Sequence, residues 1–237
     1  MAPRFVLVPG AGGNAGYWQR VVPLLGEAGH EVVAVDLPNW AGATLSDQAE
    51  AIAAAAGDAS EVVLVAQSMG GFSAPLACAR LPVAELVLVN AMIPSPGETA
   101  GDWWANTGQP AAQRHNDVQA GRDPDAGFDP NTYFLHDLPP EVVQLLIEAG
   151  DEGPADSLFQ QPFPLSAWPE VTTTVLSGRD DRLFPLEFQR RVAAERLGLP
   201  VTELDGGHLL ALSRPEALVS TLLSTTATAT RRAGPQK

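Results

Sequence analysis

At 237 residues, with 45% hydrophobic and 18% charged residues, the chain is sized for a single domain with its own core, needing neither disulfides nor a structural metal. A formal charge of −14 repels phosphate backbones and anionic lipid, which argues against nucleic acid or a membrane surface as partner. The only lysine is Lys237 and the only cysteine is Cys78, which removes Schiff-base, phosphate-loop and Ser–Lys chemistry, an internal disulfide and cysteine-rich zinc sites.

The first apolar run, Phe5–Val8, is too short for a secretion-signal core and leads into glycine-rich chain, so a cytoplasmic protein is expected. Val32–Val35, Val62–Ala66 and Leu86–Val89 repeat the pattern: continuous, mostly β-branched, as strands buried on both faces require. Between the first two runs, Trp18, Val21, Val22 and Leu25 share one helical face. Leu45, Ala49, Ile52, Ala53 and Ala56 do the same before the third. Cys78 falls in an apolar helical stretch and reads as a buried, inert thiol. The rhythm breaks over residues 93–168, rich in Pro, Gly, Asp and aromatics, with one clear amphipathic helix near Pro140–Ala149. A structureless loop of that length is improbable, so this segment is expected to be a mostly helical cap inserted into the domain. The alternation resumes with a strand at Val171–Leu176, a helix near Pro185–Leu197, a strand at Val201–Leu204 and a helix after His208. From Thr225 to the end the sequence reads as a frayed, disordered tail. Alternating strands and helices with right-handed crossovers predict a doubly wound, mainly parallel α/β sheet of six strands.

The chemistry-bearing residues cluster after strands. Ala66-Gln67-Ser68-Met69-Gly70-Gly71 follows the third run, with small residues two either side of the serine. That is the pattern of a sharp strand-to-helix turn that holds a nucleophilic hydroxyl at the sheet edge, beside a helix N-terminus. A serine that merely caps the helix is the plainer reading, and it leaves the flanking small residues unexplained. After the first strand, Pro9-Gly10-Ala11-Gly12-Gly13 lets backbone amides point inward. If the first and third strands are adjacent, the N–H groups of Ala11 and Met69 form an oxyanion hole. Gly10-x-Gly12-x-x-Ala15 with Asp36 also fits a loose dinucleotide-binding pattern, a reading that leaves Ser68 and His208 without purpose. His208 follows the sixth strand after two glycines and is placed to act as general base, with a carboxylate to hold its tautomer. Asp180 and Asp181, after the fifth strand, compete for that role; Asp205 is too near His208 in sequence. His30, His115 and His136 lack strand-end placement, and no spacing suggests a metal site.

With these residues in view, the chain resembles the α/β-hydrolase superfamily over nearly its whole length, without that family's first hairpin. The order Ser68, Asp181, His208 is the family's order, and Gly178-x-x-Asp181 with Pro185 matches its acid loop, which implies Asp181 over Asp180. Gly16-Tyr17-Trp18 and the segment Tyr133 to Glu141 are similar to the plant-type esterase and hydroxynitrile lyase branch. Within that branch, lyases have lysine after the catalytic histidine and threonine at the oxyanion-loop glycine. Here those positions are Leu209 and Gly10, which implies ester cleavage. The expectation is a cofactor-free serine hydrolase acting on a small-to-medium hydrophobic ester, with Trp104, Tyr133, Phe134 and Phe159 of the cap lining an apolar pocket. A lyase or cofactor-free oxygenase on the same fold, or a ligand-binding protein that keeps the triad, are the alternatives. Whether the chain forms a homodimer is not legible.

Overall fold

The computed structural model describes residues 2–149 and 153–232. Its elements, in chain order, are β1 (Arg4–Val8), a 3₁₀ turn (Ala15–Trp18), α1 (Val22–Glu27), β2 (Val32–Ala34), α2 (Leu45–Ala56), β3 (Val62–Gln67), α3 (Gly70–Ala77) and β4 (Val83–Val89). Then come α4 (Ala100–Thr107), α5 (Gln109–Gln119), α6 (Pro130–Tyr133), α7 (Pro140–Ala149) and α8 (Asp156–Gln160). The chain closes with β5 (Thr173–Gly178), α9 (Leu186–Leu197), β6 (Val201–Leu204), α10 (Leu210–Ser213) and α11 (Pro215–Arg232).

Each apolar run becomes a strand because a run flanked by helices can bury both of its faces. Side chains alternate across the sheet. Val6, Val8, Leu64 and Leu88 face one core with α2, α3 and α9, while Phe5, Leu7, Val65 and Val87 face the other with Trp18, Leu25, Leu218 and Leu222. The six strands are parallel in the order β2-β1-β3-β4-β5-β6. From β1 the chain winds outward to β2, then crosses back to β3 on β1's other side. Loops after β1 and β3 therefore diverge at a switch point, the place where such sheets accept ligands.

Local differences from expectation have local causes. The periodicity around Trp18–Leu25 suggests one helix, but Pro23 lacks an N–H and is tolerated only in a first turn, so α1 starts at Val22 after a separate 3₁₀ turn. α2 starts at Leu45 because Thr44 and Asp47 form a reciprocal capping box. α11 runs to Arg232, past Thr225 where a frayed tail is expected. Thr225 and Thr226 return their hydroxyls to the carbonyl of Leu222, and the buried Thr226 side chain anchors that turn. Residues 233–237 lie outside the described residues.

Among the described residues, the segment between β4 and β5 carries five helices, α4 to α8. It is fastened at both ends. Near its start, the Arg196 guanidinium of α9 pairs with Glu98 and donates to the Ile93 carbonyl. Near its end, Gln161 and Ser157 donate to the Ala43 carbonyl ahead of α2. Among the described residues no helix is long and apolar enough to cross a membrane.

Candidate active site

Ser68 leaves β3 with φ 49°, a left-handed conformation that side chains resist, and α3 begins two residues later. The turn is held from both sides: Ser68 N–H donates to the Val89 carbonyl (3.2 Å), and the Ser68 carbonyl accepts from Gly71 (3.1 Å) and Met92 (2.9 Å). A Cβ at Gly70 would lie 2.6 Å from the Pro9 carbonyl oxygen, so only glycine lets the β1 loop pass this closely. The small residues around the serine are thus required by the approach of neighbouring backbone.

The structure brings Ser68, His208 and Asp181 together from three loops. His208 Nδ1–H donates to Asp181 Oδ2 at 2.8 Å, which leaves Nε2 as acceptor for the Ser68 hydroxyl at 3.1 Å. His208 and Asp181 are 1% and 2% exposed, so this chain of hydrogen bonds is shielded from competing water. The imidazole is flanked by Phe134, with centroids 5.3 Å apart, and meets the edge of Phe184 at 5.1 Å. The other Asp181 oxygen accepts from the N–H groups of Leu183 (2.9 Å) and Phe184 (2.8 Å). Asp180 turns away and accepts from Gly206 N–H, and Asp205 is spent on an exposed pair with Arg179. The choice between the two adjacent aspartates is thereby made by geometry.

Ala11 and Met69 both line the cavity beside Ser68, and neither N–H is spent on a hydrogen bond among the described residues. Asp36 accepts the Ala15 N–H at 2.7 Å and so holds the loop after β1 in shape, a structural task that accounts for it without a dinucleotide. Tyr17, in the 3₁₀ turn, accepts the Ala211 N–H beside the histidine loop, and burial pushes its hydroxyl pKa upward. His30 packs against Phe5, His115 is exposed on α5, and burial together with Arg182 pulls the His136 pKa down. No group of three or more His, Cys, Asp or Glu among the described residues is arranged to hold a metal ion.

Ser68 opens onto a cavity of about 690 Å³. Trp104, Phe134 and Phe159 line it, together with Met69, Met92 and Leu183. Tyr133 does not. It is 3% exposed, stacks on the lining residue Phe128, and donates its hydroxyl to the buried Asp117 carboxylate at 3.0 Å. A buried phenol needs an acceptor, and here Asp117, itself a lining residue, supplies it, so the ring is packed behind Phe128 and Asp117 rather than in the lining. Composition gave no sign of the polar part of the lining, where α5 presents Gln109, Gln113, Arg114 and Asp117. Their spacing places them along one helical face, a polar stripe that reads as solvent-exposed until the fold covers it.

With the geometry established, comparison with known proteins decides the family. The model of the alpha/beta hydrolase family matches residues 5–221. The chain belongs to that family. This α/β hydrolase is 28% identical over 250 residues to methylesterase 7 of Arabidopsis thaliana, covering 93% of this chain and 95% of the relative. A shorter stretch of 108 residues is 38% identical to methyl jasmonate esterase 1 of Vitis vinifera, spanning 39% of this chain and 40% of the relative. The crystal structure of polyneuridine aldehyde esterase superposes on this α/β hydrolase with a TM-score of 0.75 at 23% identity. It covers 95% of this chain and all (100%) of that one, a likeness of fold.

Proposed function

We propose that this α/β hydrolase cleaves a carboxylic ester by two-step acyl transfer through Ser68. The observation that carries this reading is the unbroken run of hydrogen bonds from Asp181 through His208 to a Ser68 hydroxyl facing an apolar cavity. In the first step Ser68 Oγ attacks the ester carbonyl while His208 Nε2 takes its proton. Asp181, accepting from Nδ1–H, stabilises the imidazolium that forms. The oxygen of the tetrahedral intermediate is held by the N–H groups of Ala11 and Met69, and the N-terminus of α3 adds a favourable field. His208 then returns the proton to the leaving alcohol, and water releases the acyl group by the same route in reverse. The chemistry calls for no cofactor.

The esterase names of the relatives support ester hydrolysis, and Leu209 and Gly10 depart from the lyase pattern. The cavity supports a small-to-medium, mainly hydrophobic substrate, contacted by Trp104, Phe134 and Phe159 near the reacting carbonyl. Its polar α5 side suits one hydrogen-bonding substituent on that substrate, since Gln113 brings an amide to a mainly apolar lining, whereas the exposed Arg114 guanidinium is already paired with Asp125.

The test is hydrolysis of short-chain p-nitrophenyl esters by wild type, Ser68→Ala and His208→Ala. Turnover by wild type with losses of roughly 10³-fold or more in both variants is expected. Equal rates in all three proteins, or a silent wild type with a folded spectrum, would overturn acyl transfer and bring forward the lyase or ligand-binding readings.

A further inference from the structure

The acid and the base of the triad arrive on separate loops, after β5 and after β6. A buried polar cluster that the mechanism does not use joins them. Asn90 ends β4 with φ 45°, and with Ser68 it makes up the pair of non-glycine residues with positive φ among the described residues. It is wholly buried, at 0% exposure. A side-chain amide offers two donors and an oxygen with two acceptor positions, and all four are in use. Nδ2 donates to the carbonyls of Gly207 (3.0 Å) and His208 (2.9 Å), while Oδ1 accepts from Gly178 N–H (2.7 Å) and Gln189 Nε2 (3.3 Å).

Gln189, on α9, carries the network to the acid. Its oxygen accepts from the Ser177 hydroxyl at 2.7 Å, and its Nε2 donates to the Phe184 carbonyl at 2.9 Å. With two hydrogens for three acceptors, the same Nε2 shares the second between Asn90 Oδ1 and, at 3.4 Å, Asp181 Oδ2, the oxygen that accepts from His208. Two side chains therefore span the distance from the backbone of His208 to the carboxylate of Asp181. The loops they join run so close that a Cβ at Gly178 would lie 2.6 Å from the Gly207 carbonyl oxygen. From the other side, Asp137 of the inserted segment accepts the Gly207 N–H at 2.7 Å, so the histidine loop is gripped above and below.

We propose that Asn90 and Gln189 are positioning residues for the triad. Asn90 sets where His208 sits by holding its carbonyl, and Gln189 fixes the Asp181 oxygen that His208 uses. A residue needed only to fill the core could be apolar at both places. Here the four bonds of Asn90 end on Gly178 at the start of the acid loop, on the histidine loop and on the Gln189 amide that continues to Asp181, and the residue makes them from a left-handed backbone conformation. The inference rests on the acyl-transfer reading, in which an ångström of misplacement at the base costs rate rather than binding.

The test pairs Asn90→Gly, which takes the same backbone conformation without strain, with Gln189→Met, which keeps the length of the side chain and removes its hydrogen bonds. Three quantities are read: kcat and KM on a p-nitrophenyl ester, and the downfield proton resonance of His208 Nδ1–H bonded to Asp181. The expected result is a fall in kcat of roughly 10- to 100-fold with KM within about twofold. The His208 resonance shifts or broadens in a protein whose circular dichroism is unchanged. Folded variants with wild-type kcat and an unmoved resonance would overturn the proposal. If Asn90→Gly does not fold, Gln189→Met decides by itself. A wild type without esterase activity sinks the acyl-transfer reading instead, and the resonance still reports whether the two amides hold His208 against Asp181.

Discussion

Ser68 and Asn90 sit one strand apart with the same uncommon backbone sign, and the reasons they tolerate it differ in how far they can be read from sequence. Ser68 announces itself, because Ala66 and Gly70 stand two residues either side of it, the small-residue pattern of a sharp strand-to-helix turn. Asn90 carries no such signature; its partners are Gly178, Gln189, Gly207 and His208, all remote in the chain. The aromatic residues of the insertion show the same limit. Trp103 and Trp104 are neighbours, yet one is buried with its N–H on Ile93 while the other lines the cavity. Cys78, expected to be buried within a helix, is the half-buried residue that caps the end of α3, and partial burial still pushes its thiol up to about 12. At pH 8 so little thiolate exists that iodoacetamide labelling of the native protein should run roughly 10³-fold slower than labelling of the denatured chain. Mass spectrometry over a time course checks this, and equal rates would show that the thiol is not shielded.

Strands were the most legible elements, since a buried strand needs only a short apolar run, and all six expected runs pair in the sheet. The helices of the insertion were not, apart from α7. They are short, broken by Gly108 and by prolines, and their apolar residues face three surroundings, namely the core, the cavity and one another. What secures them is equally silent in sequence. Glu98 and Arg196 form a buried pair between the segment's entry and α9. Burial alone would raise the Glu98 pKa, but the Arg196 guanidinium, the Asn106 amide and the Ser95 N–H outweigh it and hold the carboxyl below the ordinary glutamate range. A carboxyl lowered in the folded state contributes stability above its unfolded pKa and loses it as pH falls through the folded value. Glu98→Gln should therefore cost about 3 kcal/mol at pH 7, because it leaves Arg196 without its counter-charge. Urea denaturation at pH 7 and again well below pH 4 measures the gap, which should narrow in acid as the wild-type carboxyl also protonates. A gap independent of pH would remove the ion pair as its cause.

On the scale of the whole molecule, one sheet serves two cores. Leu64 on β3 and Leu7 on β1 are both fully buried, at 0% exposure, and they face opposite sides. Because every central strand contributes to both faces, loss of either core removes the support of the other, and unfolding should be a single transition. Leu64→Ala and Leu7→Ala are each expected to cost about 3 kcal/mol. Tryptophan fluorescence and far-ultraviolet circular dichroism should report the same midpoint in each variant. Separate midpoints would mean that the two layers unfold independently.

The sequence by itself determined the strands, the alternation that makes the sheet parallel, and the loops that carry Ser68, Asp181 and His208. Each of these follows from residue spacing over a few positions, where apolar period, turn sterics and strand ends act locally. The acid-loop resemblance implied Asp181 over Asp180, and the fold seats it on His208. Tertiary structure alone decided that Tyr133 packs behind the lining residues Phe128 and Asp117, and that Asn90 and Gln189 bind the two loops together. Those choices depend on hydrogen bonds between residues as far as 118 positions apart, whose partners are selected by where the folded backbone leaves a buried polar group in need of one.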